Sequence, residues 1–131
     1  MLNRAPLEIE FDNLNLFAIL ASLSSEDLDK LPFGVIGFDG EGVICIYNAP
    51  EARWAGLDRD NVIGSPMFEV VAPCMNNYLI AERFDEASER HEALDATLDY
   101  VLTLRMRPTP CTLRLLTDEA SRIRFILIKR K

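Results

Sequence analysis

The sequence predicts an α+β domain: a five-stranded antiparallel sheet with helices mainly on one face and an N-terminal helical cap. Three observations lead there. Strand-length apolar runs occupy residues 34–38, 43–47, 96–106, 111–117 and 122–129. The first two flank "DGEG", and the last three follow one another across short turns, so the pairings are antiparallel. Helical spacing is confined to the stretch before the first strand and the stretch between the second and third.

Each element has a local reason. In 7–29, Leu14, Phe17 and Leu20, with Leu16 and Leu23, recur at helical spacing. "SSED" offers Ser24 or Ser25 as an N-cap with acids in the first turn of a second short helix, and Pro32 stops it. Residues 1–30 therefore form a cap belonging to the same domain as the core, 31–131. After the hairpin, Asn48 caps "APEARWA" and Gly56 ends it; "LDRDNVI" gives another short helical turn ending at Gly64. Pro66 and Pro73 punctuate an irregular stretch over 66–77. Residues 78–92 are the longest helix candidate, with Ile80, Phe84 and Ala87 on one face. In 96–106 the alternation puts Leu98, Tyr100, Leu102, Leu104 and Met106 on one face of a strand. "RPTP" and "DEAS" turn the chain into the last two strands.

Composition narrows the function. A chain of 131 residues fits one domain with a real core. With Asp+Glu 21 against Lys+Arg 14, the net charge is −7, which excludes a protein built to meet phosphates and disfavours an anionic membrane surface. No apolar run approaches the roughly 18 residues of a membrane span. Glu8, Glu10 and Asp12 make the N-terminus unlike a secretory leader. Three cysteines, an odd number, predict free thiols and a cytoplasmic protein.

Two stretches carry chemistry. In "VVAPCMNNY", Cys74 follows a proline in a loop, outside any periodic pattern. It reads either as a small buried hydrophobe or as an attachment point. Cys45 and Cys111 sit inside apolar strands and read as packing. A nucleophilic thiol needs a base, and His91, in the charged half of a helix, is the one histidine. A metal site needs more ligands than the chain clusters. The protein is therefore expected not to be an enzyme. In "YNAPE", Glu51 lies three residues after Asn48, so it either closes a capping box or does something else; Tyr47 ends a strand and either fills core or serves a site.

Together these pieces form a resemblance. "YNAPEARWAGLDRDNVIG" resembles the Asn…Gly…Ile-Gly pattern of PAS sensory domains. Adding "LPFGVIGFDGEG", "VAPC" ten residues after "VIG", and "MRPTP", the chain from about Phe11 to its end is similar to the photoactive yellow proteins, PAS-fold blue-light photoreceptors. The resemblance implies that Cys74 holds p-coumaric acid (a 4-hydroxycinnamoyl group) as a thioester. It implies that Tyr47 and Glu51 hydrogen-bond the phenolate, and that Met106 helps the isomerised group return. Ile36, Met67 and Val71 fall where the family lines its pocket. The family's usual threonine partner of the tyrosine is Ala55 here, its arginine lid is Leu57, and two aromatic positions are Leu102 and Leu104. Arg53 and Arg59 are candidates for a replacement cation. The implied photocycle is trans–cis isomerisation, proton transfer from Glu51 to the phenolate, and loosening of the N-terminal cap.

The physics of such a site is demanding. A phenol titrates near 10, so ionising it at neutral pH takes a downward shift of about three units, roughly 4 kcal/mol. Burial opposes that shift. Glu51 donates a hydrogen bond only when protonated, and desolvation and a neighbouring anion both favour its neutral form. Losing that proton inside an apolar pocket costs several kcal/mol, comparable with the stability of a fold. The thin cap at 7–29 is the segment with least to lose. A downstream signalling protein, a monomer or weak dimer, and no nucleic acid or membrane insertion complete the expectation. The competing readings are a non-photoactive PAS sensory or interaction module and a thiol enzyme using Cys74.

Overall fold

The computed structural model describes residues 9–103, 107–120 and 122–131. Leu104 and Met106, two of the candidate pocket residues, lie outside the described residues, as do the first eight residues of the expected cap. The element order is α1 (Leu16–Ser22), α2 (Ser25–Leu28), β1 (Gly34–Phe38), β2 (Ile44–Tyr47), α3 (Ala49–Ala55), α4 (Arg59–Val62), α5 (Ala81–Glu89), β3 (Leu94–Leu102), β4 (Thr109–Thr117) and β5 (Arg124–Arg130). The strands form one antiparallel sheet in the order β2-β1-β5-β4-β3. The five-stranded α+β architecture is the expected one.

Alternate residues of the central strands feed two separate cores. Ile36 and Phe38 of β1, Leu113 and Leu115 of β4, and Ile126 and Ile128 of β5 pack under the helices that connect β2 to β3. Val35, Leu116, Phe125 and Leu127 point the other way, where Phe11, Leu16, Leu20, Leu28 and Leu31 of the N-terminal segment cover them. The cap thus closes the face opposite the connecting helices, so β1 is buried along its whole length. Phe11 meets Phe33 edge-on with ring centroids 5.5 Å apart, and Phe17 meets Phe125 at the same distance.

Caps fix the local boundaries. Ser24 accepts from the Asp27 amide to start α2, Asn48 accepts from the Glu51 amide to start α3, and Gly56 ends α3 at φ +70°. Gly64, at φ +91°, turns the chain after α4.

Several expectations need correction. The long helix spans Ala81–Glu89, shorter than 78–92: Ile80 is non-helical and His91 sits beyond the end at φ 55°, exposed. The third strand begins earlier than 96 and runs Leu94–Leu102, while the part of the expected strand over 104–106 lies outside the described residues. Residues 66–77 are not wholly irregular but contain a π-helical turn (Met67–Val71) and a 3-10 turn (Pro73–Met75). Cys45 is exposed, because β2 is an edge strand whose alternation turns it outward; Cys111, in β4, is fully buried as expected.

Candidate functional site

Tyr47 ends β2 and Glu51 lies in the first turn of α3, separated by the capping residue. Asn48 is itself buried, and every polar atom of its side chain is engaged. Its Oδ1 accepts from the Val35 amide at 2.9 Å and the Glu51 amide at 3.2 Å; its Nδ2 donates to the Leu28 carbonyl at 2.9 Å and the Phe33 carbonyl at 3.0 Å. This one amide sets α3 against β1 and ties both to the end of the cap. No capping box forms, since the Asn48 amide donates to the Val35 carbonyl and the Glu51 side chain goes elsewhere.

That side chain is completely buried and meets Arg130 of β5. The guanidinium donates from Nη1 to Oε1 at 2.7 Å and from Nη2 to Oε2 at 3.1 Å, a two-pronged ion pair. The guanidinium also lies over the ring of Trp54, one turn along α3, with its carbon 5.2 Å from the ring centroid. Burial raises the Glu51 carboxyl above the usual range, while the hydrogen bonds and charge of Arg130 pull it back down. The Tyr47 hydroxyl is pushed well above its ordinary value by burial first and by the Glu51 charge second, so it stays a donor.

Gly34 makes this geometry attainable. A Cβ there would sit 2.2 Å from Glu51 Oε1 and 3.2 Å from Glu51 Cβ. The carboxylate packs on bare backbone and is pinned by Arg130, so it cannot swing aside without breaking the pair. Gly34→Ala is expected to destabilise the protein by about 1–3 kcal/mol, as overpacking does. It is also expected to separate Glu51 from Arg130, and a crystal structure of the variant with the ion pair intact would contradict this.

The remaining candidates converge on the same core. Ile36, Tyr47, Met67 and Leu102 are buried members of it, and Leu57, Val71 and Cys74 pack against it half-buried. Cys74 sits in the 3-10 turn after Pro73, and its carbonyl accepts hydrogen bonds from the Tyr100 hydroxyl of β3 and from Asn77 Nδ2. Cys111 of β4 is buried in this core and is the sheet partner of Arg130. Burial pushes its thiol up to about 11, with Arg130 lowering it and the charges of Glu51 and Cys74 raising it. Ala55 and Leu102 border a cleft of about 410 Å³ together with Trp54, Arg107, Thr109 and Arg130.

The candidate cations resolve differently from expectation. Arg59 is committed to Asp29 at 3.0 Å, and Arg53 is exposed on the rim of the cleft. Arg130 is the cation at the site, and the sequence reading did not select it. The available signal was alternation: on β5, Ile126, Ile128 and Arg130 share a face. No group of three or more histidines, cysteines or acids able to hold a metal occurs among the described residues. No described helix is long and apolar enough to cross a membrane.

Comparison with known proteins agrees with this construction. The family model described as "PAS fold" matches residues 28–129. A photoactive yellow protein from Halochromatium salexigens is 39% identical over 90 residues, covering 69% of this chain and 71% of the relative. One from Rhodothalassium salexigens is 33% identical over 101 residues, covering 77% and 80%. Among solved structures, the photoactive yellow protein domain of the sensor histidine kinase Ppr from Rhodospirillum centenum superposes with a TM-score of 0.78 at 31% identity, covering 86% of this chain and 97% of that one. A chain that matches the PAS-fold model over residues 28–129 and these relatives over this length belongs to the photoactive yellow protein family of PAS-fold sensor proteins.

Proposed function

We propose that this protein is a blue-light photoreceptor in which Cys74 carries p-coumaric acid as a thioester, with Tyr47 and Glu51 as hydrogen-bond donors to its phenolate oxygen. The observation that supports this reading is that Tyr47 is a buried member of the core against which Cys74 packs, with the buried Glu51 four positions on, in the first turn of α3. The donor set fits the group. Tyr47 keeps its proton, burial favours the neutral form of Glu51, and Cys74 is a free cysteine that is only partly buried. When bound, the coumaroyl group supplies the absorbing phenolate and a double bond that light isomerises.

The protein's own residues do the rest. Glu51 must hold a proton at one carboxyl oxygen to donate, and so must release at least one of the two bonds it accepts from Arg130. Giving that proton to the phenolate oxygen leaves a carboxylate on α3. The change reaches the cap through Asn48, which holds the Glu51 amide with one end and the Leu28 carbonyl with the other. Loosening of the cap is the proposed output, read by a downstream signalling protein in the cytoplasm.

Incubation with an activated p-coumaroyl donor is expected to add one coumaroyl mass and a blue-absorbing band that bleaches on illumination. Cys74→Ala is expected to show neither. A coloured adduct on the Cys74→Ala protein removes the assignment, and a native protein that takes up no chromophore points to a PAS sensory module without photochemistry.

A further inference from the structure

We propose that Arg130 is a resident counter-ion that takes over the Glu51 carboxylate whenever Glu51 has lost its proton, so that the site is electrically neutral both before and after proton transfer. This deepens the reading of Glu51 as a proton donor and rests on it for its role in the photocycle, though the pair itself exists in the protein alone.

The geometry carries the inference. Both Glu51 oxygens accept from the same planar guanidinium, at 2.7 and 3.1 Å, an arrangement that suits an ionised carboxylate, each of whose oxygens acts only as an acceptor. The guanidinium lies over the Trp54 ring, and its strand position is fixed by pairing of Arg130 with Cys111 across β5 and β4. A guanidinium does not titrate in this range, so the positive charge is permanent. Among the described residues, the other ionisable groups that interact with the pair are Tyr47 from β2 and Cys111 from β4. Both are pushed up by burial and stay neutral near physiological pH. Arg53 of α3 and Arg107 lie further out, along the cleft that Arg130 borders.

The charge arithmetic follows. With a neutral Glu51 beside an anionic phenolate oxygen, Arg130 brings the site to zero. When the proton crosses, the phenol is neutral, the carboxylate carries the charge, and the sum is still zero. The bond that breaks is Glu51 O–H, the bond that forms is phenol O–H, and Arg130 gains the two acceptors it holds here. A carboxylate created beside Arg130 is thus not bare. The electrostatic drive to loosen the cap is weaker than in a pocket without this cation, and the deprotonated state is correspondingly longer lived.

Infrared spectroscopy of the chromophore-free protein tests the first half. At neutral pH the wild type is expected to show no carbonyl stretch of a protonated carboxyl assignable to Glu51. Arg130→Gln is expected to gain one, which then vanishes in the Glu51→Gln/Arg130→Gln double variant. Arg130→Lys, which keeps a cation and guards against a folding failure of Arg130→Gln, is expected to behave as wild type. A protonated Glu51 band already present in the wild type overturns the proposal, and so does Arg130→Gln without a new band. In the loaded protein, the illuminated yield of ionised Glu51 is expected to fall at least about tenfold in Arg130→Gln, one unit of proton affinity. An unchanged yield overturns the photocycle role. Failure of the wild type to load with chromophore sinks the photoreceptor reading instead, and leaves the counter-ion decided by the first measurement.

Discussion

Arg130→Met is expected to cost the chromophore-free protein about 3–5 kcal/mol at neutral pH, the usual loss when one partner of a buried ion pair is removed. Glu51 is fully enclosed and Arg130 only 13% exposed, so the stranded carboxylate has little water to turn to. The loss depends on pH, and its sign follows from burial. The folded-state pKa of Glu51 is raised above its unfolded value, by desolvation foremost. Its contribution to stability is therefore fully present below the unfolded value and is lost as pH rises through the folded one. Removing Arg130 takes away both influences that hold the folded value down, so the loss becomes larger. The deficit of Arg130→Met relative to wild type should grow as pH rises from about 5 to about 8, above the ordinary glutamate value of about 4.3, other groups cancelling in the difference. Urea unfolding of both proteins across that range measures it. The double variant Glu51→Leu/Arg130→Met should recover most of the loss, because apolar replacement of a whole buried pair is often neutral. Equal deficits at both ends of the range would show that Arg130 contributes packing and not charge.

Much of the architecture was legible because its causes are local. Asn48 and Gly56 announce the ends of α3 within eight residues of sequence, Ser24 starts α2, and strand-length apolar runs mark all five strands. Of the candidate site, "YNAPE" and "VAPC" drew attention to Tyr47 and Cys74, which meet at one core, and to Glu51, which is buried in the first turn of α3. What escaped depends on strand order and distant pairing. Arg130 stands 79 positions from Glu51 and one past the strand expected over 122–129; only its place on the face of Ile126 and Ile128 betrays it. Cys45 looked like core because nothing in "VICIY" says that β2 is an edge. The face covered by the cap was equally hidden, since apolar runs buried on both sides show no alternation to assign. Gly34 looks like any strand-opening glycine until a carboxylate is found against it.

The second large effect concerns the cap. Arg114→Leu is expected to free it while leaving the sheet and the site folded. Arg114 sits on β4, on the face that the N-terminal segment covers, and its side chain is 5% exposed. Its guanidinium donates from Nε and Nη2 to the two oxygens of Asp95, each at 2.9 Å, and from Nη1 to the carbonyls of Phe11 at 2.7 Å and Asn13 at 2.8 Å. The last two bonds cross more than 100 positions of sequence and pin an irregular stretch that has few other polar anchors. Leucine leaves both carbonyls without their cationic donor, at a cost of about 2–4 kcal/mol after water satisfies the more accessible one. Opening of a terminal segment is local, so the cost falls on the cap before it reaches global stability. Amide exchange and proteolysis over residues 9–20 should then accelerate by roughly 30- to 700-fold in the dark, with the β4–β5 amides little changed. Asp95→Asn should do far less, since Asp95 is 52% exposed and its charge is screened by solvent. Loading and the blue-absorbing band should survive in Arg114→Leu, because Arg114 lies on the opposite face of the sheet from Tyr47 and Cys74. Illumination should then add little further opening, as the cap is already released. A cap in Arg114→Leu that resists protease as well as the wild type does would mean that Leu16, Leu20 and the aromatic pairs hold it without help.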